Sequence, residues 1–247
     1  MTIVVSPAVT GGMRLSLDGI RIAYGTRTVI DGLDLEITQG EILVLVGKSG
    51  CGKSTLLRAL AGLRPVDGGA IRADGDTVTG PSADRALVFQ DDALLPWRTA
   101  RGNVELALRL RGVPRAERTG TADRWLGEVG LTGYAGYLPR DLSGGMRQRV
   151  QLARSLAGSP RAVLMDEPFG ALDSQTRADM QRLLVETWRA HPTTIVFVTH
   201  DIDEALLLGD RVAVLGGGGA LRTLVDVPAP RETLDRSAVK DRILELL

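Results

Sequence analysis

A chain of 247 residues buries a core large enough to need neither disulfides nor a structural metal, and it falls within the range of one α/β domain carrying an added lobe. Its 30 basic residues balance 30 acidic ones and aromatics make up only 4%, which argues against the basic footprint and base-stacking platform of a nucleic-acid binder. The one cysteine, Cys51, has no internal partner and suits a reducing compartment, and no stretch approaches the roughly 20 apolar residues of a membrane helix.

Residues 1–12, MTIVVSPAVTGG, lack the basic start and long apolar run of a signal peptide and are expected to be a flexible leader. From Leu15 to Tyr24 apolar and polar residues alternate, slipping once at Gly19, and Leu33, Leu35 and Ile37 alternate with Asp34 and Glu36; both segments predict half-buried, antiparallel strands. The pattern then changes to continuous apolar runs at 41–47, 85–89, 161–166, 193–200 and 211–215, as expected of parallel strands covered on both faces. Helices are predicted at 53–61, at 142–157 with Met146, Val150, Ala153 and Ala157 on one face, and at 174–188 with Met180, Leu183, Leu184, Thr187 and Trp188 on one face. Alternation of these elements predicts an α/β fold with a mainly parallel sheet and crossover helices. Residues 92–158 hold helical patterns and no strong strand, and predict a helical lobe inserted into the sheet domain. The run of four glycines at 216–219 reads as a hairpin turn or loop.

Residues 47–55, GKSGCGKST, fit the pattern GxxxxGK[ST] directly after a buried strand and before a helix, the context that identifies a phosphate-binding loop. Gly47, Gly50 and Gly52 let the backbone curl with its N–H groups inward, and the helix start adds partial positive charge. Lys48, Ser49 and Cys51 fill the variable positions, Cys51 as a small filler. Lys53 is expected on the β- and γ-phosphates, the Ser54 hydroxyl on Mg²⁺, and Thr55 on an α- or β-phosphate oxygen. A carboxylate pair, Asp166 and Glu167, closes the strand at 161–166 before Pro168. Asp166 is placed to hold Mg²⁺ opposite Ser54, and Glu167 to polarise a water for in-line attack, which favours hydrolysis over transfer to an acceptor. Ser143, Gly144 and Gly145 open the helix at 142–157 and resemble a second anion site in a chain that already has a complete phosphate cradle.

In their order these motifs resemble the nucleotide-binding domain of ABC transporters, and the resemblance covers essentially all of residues 13–215. LSGGM (142–146) is similar to the family signature, usually LSGGQ; Met146 departs from it by lacking the amide's hydrogen bonds, with a modest expected effect on nucleotide contacts. The resemblance implies a P-loop core at about 13–91 and 159–215 with an N-terminal antiparallel β subdomain. It further implies a helical subdomain at about 92–158 and a short C-terminal extension at 216–247, all within one domain spanning 13–247. It implies that two copies lie head to tail around two ATPs, each signature reaching the γ-phosphate held by the opposite P-loop. By the same resemblance Tyr24 stacks on adenine, Gln90 senses Mg²⁺ and the attacking water, Asp173 crosses the dimer interface, and His200 contacts the γ-phosphate and catalytic water. Glu167, His200, Lys53 and Gln90 are then the catalytic set, with ATP and Mg²⁺ as cofactors.

Residues 89–104, FQDDALLPWRTARGNV, closely resemble the corresponding segment of nitrate, taurine, aliphatic-sulfonate and thiamine-precursor importers. This implies a transmembrane permease docked near Gln90–Asn103, with Leu94, Leu95, Pro96 and Trp97 as its apolar seat. It also implies a solute-binding protein acting indirectly and a location on the cytoplasmic face of the cell membrane, with no nucleic-acid partner. The solute is expected to be nitrate, a sulfonate, taurine or a related small anion. The alternative is a soluble ABC ATPase serving as a nucleotide-gated regulatory or binding module; Glu167 and His200 weigh against it.

Overall fold

The computed structural model describes residues 11–228 and 237–246. Residues 1–10 of the expected leader, and 229–236 and Leu247 of the expected C-terminal extension, lie outside the described residues.

Two sheets organise the chain. The first is antiparallel: β1 (Leu15–Tyr24) pairs with β2 (Arg27–Ile37) on one side and with β4 (Gly68–Ala73) on the other, and β5 (Asp76–Thr77) closes the edge. The slip read at Gly19 is one of several register shifts between β1 and β2, at Leu17/Ile20, Ile20/Ile22 and Ile22/Ala23. The second sheet contains β3 (Ile42–Gly47), β6 (Arg85–Val88), β7 (Ala162–Asp166), β8 (Thr194–Val198), β9 (Arg211–Leu215) and β10 (Leu221–Asp226), in the order β10-β9-β3-β8-β7-β6. All neighbours in it are parallel except β10, which returns beside β9 after the Gly217–Gly219 turn.

The continuous apolar runs have the cause the sequence suggests. Along β3, Ile42, Val44 and Val46 enter one core cluster while Leu43 and Leu45 enter another, so both faces of the strand are dry. The first cluster joins that face to α5 (Ser174–Ala190), α6 (Ile202–Leu208) and α7 (Ser237–Leu244). It continues into the inserted lobe of α2 (Ala100–Leu110), α3 (Arg115–Glu128) and α4 (Gly144–Ala157). The second cluster packs α1 (Lys53–Leu60) between the parallel sheet and the antiparallel sheet. Each fully buried Leu, Ile or Phe contributes roughly 1.5–3 kcal/mol.

The lobe is fastened to the sheet domain at its base. Arg111, capping α2, donates through Nη1 to Asp84 Oδ1 at 2.6 Å, through Nε to Gly158 O at 2.6 Å and through Nη2 to Ser159 O at 3.0 Å. The planar guanidinium satisfies three acceptors, one just before β6 and two where the chain leaves α4 for the sheet.

Candidate active site

The carboxyl ends of β3, β7 and β8 lie side by side, with Leu45 opposite Val198 and Asp166 opposite Val198. Open α/β sheets bind ligands at this edge. β3 delivers the phosphate loop, β7 the carboxylate pair, and β8 leads into His200.

The loop is shaped by two glycines in different ways. A Cβ on Gly47 would lie 2.5 Å from Leu215 O and 2.7 Å from Cys51 Sγ, so only glycine lets the loop close against β9. Gly52 has φ 108 and stands before α1, which no side chain caps, leaving the helix start to an anionic ligand. Lys53 is 7% exposed, and its ammonium donates to Gly47 O at 2.7 Å and Lys48 O at 3.3 Å, which centres the charge in the loop. Cys51 is buried beneath the loop, and its N–H donates to Lys48 O at 3.2 Å. Lys48, Ser49 and Gly50 are exposed, and Ser54 and Thr55 half-buried.

Across the sheet edge the Ser54 hydroxyl donates to Asp166 Oδ1 at 2.9 Å. Burial pushes the Asp166 carboxyl above the usual range, opposed chiefly by this hydrogen bond. A carboxyl raised by folding costs stability above its unfolded pKa, about 3.9, and the cost disappears below it. Asp166→Asn is therefore expected to melt at a higher temperature than the parent at pH 7–8, with the gap closing near pH 3–4. Melting curves across pH check this; a lower melting temperature at pH 7 would mean that the carboxylate is a net stabiliser.

Glu167 has φ 45, in the left-handed region, immediately before Pro168. A non-glycine residue there is strained, and a following proline adds to the restriction. The turn is held by Glu167 N–H donating to Val198 O at 3.1 Å and Gly170 N–H donating to Glu167 O at 3.2 Å. It brings Glu167 Oε2 within 3.0 Å of His200 Nδ1. The phosphate loop, Ser54, Asp166, Glu167 and His200 are thus gathered at one edge.

Other sequence-predicted residues lie apart. Ser143 caps α4, its hydroxyl accepting from Met146 N–H at 3.3 Å, and Asp173 caps α5, its carboxylate accepting from Gln175 N–H at 3.1 Å and Thr176 N–H at 3.0 Å. Hydrogen bonding, led by the Thr176 N–H, holds the Asp173 carboxyl below the usual range. The Met146 side chain packs against the first core cluster, a position where an apolar side chain suits the lobe. Ser143, Gly144, Gly145, Met146 and Asp173 share a cleft of about 380 Å³ that no residue of the phosphate loop lines. Tyr24 is 48% exposed at the end of β1. Gln90 is exposed just beyond β6; Val88 pairs with Met165, which sets Gln90 and Glu167 at matching positions beyond neighbouring strands.

One expectation is corrected. Leu94, read as part of a docking seat, is 7% exposed and belongs to the first core cluster. The segment is wound about the fully buried Asn103: its Oδ1 accepts from Leu95 N–H at 2.8 Å, and its Nδ2 donates to Leu95 O, Arg98 O and Thr99 O at 3.3, 3.1 and 3.0 Å. That winding turns Leu94 inward and leaves Trp97 73% exposed.

Three polar residues of α4 escaped the sequence reading. Gln151 Nε2 donates to Phe89 O and Asp91 O at 3.1 and 3.0 Å, and Arg154 to Ala93 O and Asp92 O at 2.8 and 3.2 Å. Arg147 Nε donates to Asp92 Oδ2 at 2.8 Å. The helix that begins with Ser143 therefore grips the loop that carries Gln90. The signal was available, since 147, 151 and 154 have helical spacing and form one face beside the apolar stripe.

Residues 30–170 match the ABC transporter family. The chain belongs to that family. It is 49% identical over 209 residues to the aliphatic sulfonates import ATP-binding protein of Ralstonia nicotianae, covering 84% of this chain and 72% of that protein. It is 47% identical over 212 residues to the nitrate import ATP-binding protein of Synechocystis, covering 85% of this chain and 80% of that one. Its fold is similar to a dimeric ATP-binding cassette solved in a post-hydrolysis state with ADP and Pi, at TM-score 0.75 and 31% identity over 87% of this chain and 99% of that one. This ABC ATPase has, among its described residues, no helix long and apolar enough to cross a membrane.

Proposed function

We propose that this ABC ATPase is the energy-supplying subunit of an importer, acting as two copies against a separate permease on the cytoplasmic face of the membrane. The observation that carries the paired arrangement is the separation of its two glycine-rich helix starts. The Ser143 cleft contains no residue of the phosphate loop, so within one chain the signature has no nucleotide to meet. A second copy turned head to tail supplies one, in keeping with the dimeric cassette that this chain resembles.

In this reading the loop around Lys53 and the start of α1 hold the ATP phosphates. Ser54 and Asp166 supply hard oxygen donors of the kind Mg²⁺ prefers and would hold it there, where it neutralises phosphate charge. Glu167 orients the attacking water and takes up its proton, with His200 beside it at 3.0 Å. Lys53 and the signature of the second copy stabilise charge on the γ-phosphoryl, so catalysis is mainly electrostatic positioning. The grip of Arg147, Gln151 and Arg154 on residues 89–93 ties movement of the signature helix to the loop before Trp97.

Exposed Trp97 with half-buried Leu95 offers the permease contact. The relatives named for sulfonate and nitrate import support a small anion as the solute. Chain tagged in its own cells and purified gently from membranes is expected to bring down a multi-helix permease, with Trp97→Glu cutting recovery at least about tenfold. Recovery only from the soluble fraction, with ribosomes, DNA or another enzyme, would overturn the import reading.

A further inference from the structure

The same turn that follows the phosphate-binding helix also reaches the base end of the expected nucleotide. Arg64 lies just beyond α1, and its guanidinium carbon stands 5.2 Å from the centre of the Tyr24 ring. Arg64 Nη2 donates to Ala23 O at 2.7 Å and to Asp67 Oδ2 at 2.9 Å. Asp67 Oδ2 in turn accepts from Ala23 N–H at 2.8 Å, so both polar groups of the Ala23 backbone are fastened to the 64–67 turn. The Ala23 hydrogen bond, with Arg64 nearby, holds the Asp67 carboxyl below the usual range, so the clasp stays charged. The Arg64 side chain is 22% exposed, and among the described residues its Nε has no hydrogen-bond partner.

Two consequences follow from this geometry. A guanidinium over one ring face occupies it, leaving the other face of the half-exposed Tyr24 for a flat ligand. The clasp also fixes the end of β1 relative to the helix whose start carries Lys53 and Ser54, so the spacing between base seat and phosphate seat is set through α1.

We infer that Arg64 is a positioning residue for the nucleotide base: it braces Tyr24 from behind and fixes which face of the ring adenine stacks on. The inference rests on the reading of Tyr24 as the adenine platform. It assigns Arg64 no contact with the phosphates, and that gives it a distinctive signature. Arg64→Met should weaken ADP binding by about threefold to tenfold, the scale of a partly exposed cation–ring contact, and leave pyrophosphate binding within about twofold. Arg64→Lys keeps the cation but loses the planar fork, and should fall between.

The test is calorimetric titration of the full chain with Mg·ADP and with Mg·pyrophosphate, for the parent, Arg64→Met, Arg64→Lys and Tyr24→Ala. Loss confined to ADP in both Tyr24→Ala and Arg64→Met, with Arg64→Lys intermediate, supports the inference. Equal loss of ADP and pyrophosphate in Arg64→Met and Arg64→Lys would reduce Arg64 to a general structural role and overturn it. Loss in Tyr24→Ala with none in Arg64→Met overturns the inference while leaving Tyr24 as the platform. No loss in Tyr24→Ala removes the platform and the inference with it.

Discussion

Glu167→Gln is expected to lower ATP turnover at least about a hundredfold, the usual scale for loss of a general base, while ATP binding persists. The substitution keeps the size of the side chain and leaves an amide oxygen able to accept from His200 Nδ1, so the 3.0 Å contact survives in form. It also leaves the backbone at φ 45 with the bond to Val198 O, because that geometry is set by β8 and the following proline rather than by charge. On the proposed mechanism, what disappears is the ability to take a proton from water, together with one negative charge at the carboxyl edge of the sheet. Turnover should therefore fall without a loss of affinity, and ATP-bound pairs should accumulate. Phosphate release under saturating ATP and size-exclusion chromatography with ATP measure the two halves. Near-normal turnover would remove Glu167 from the role of base.

The parts of the fold most legible in sequence were those where one physical demand dominates. Segments such as 42–46 and 195–198 are dry on both faces, and every side chain in them is apolar. The phosphate loop was legible because close approach at Gly47 and positive φ at Gly52 admit almost nothing but glycine. Less visible were the strands at 68–73 and 221–226. The first opens with two glycines and puts only Ile71 and Ala73 into buried positions. The second has Val225 as its one buried residue and a register shift between Leu221 and Thr223, which breaks the alternation a reader would count. The first is stabilised by pairing with β1, brought from elsewhere in the chain, which local pattern does not encode.

The site divides in the same way. Lys53, Ser54, Asp166 and Glu167 follow from chemistry at fixed spacing, whereas Tyr24, Gln90, Asp173 and His200 were identified only through family resemblance. The brace on Tyr24 and the α4 grip on residues 89–93 link positions far apart in sequence, 41 residues for Arg64 to Ala23 and 62 for Gln151 to Phe89, and become visible only once the chain is folded. Leu94 shows the opposite limit. An apolar run beside an exposed tryptophan reads as surface, yet the buried Asn103 winds that run so that Leu94 faces the core.

The second large effect concerns the shared site itself. Lys53→Ala removes the charge at the centre of the phosphate loop, and Ser143→Arg fills the exposed start of α4; each variant alone should be inactive as a pair of identical chains. If every site is built from the loop of one chain and the signature of the other, a mixed pair keeps one complete site, the Ser143→Arg chain giving the loop and the Lys53→Ala chain giving the signature. Phosphate release from an equal mixture is the decisive measurement. Free exchange makes about half the pairs mixed, each with one working site of two, so the mixture should recover about a quarter of the parent rate. A mixture no more active than its two components would contradict a site shared between chains.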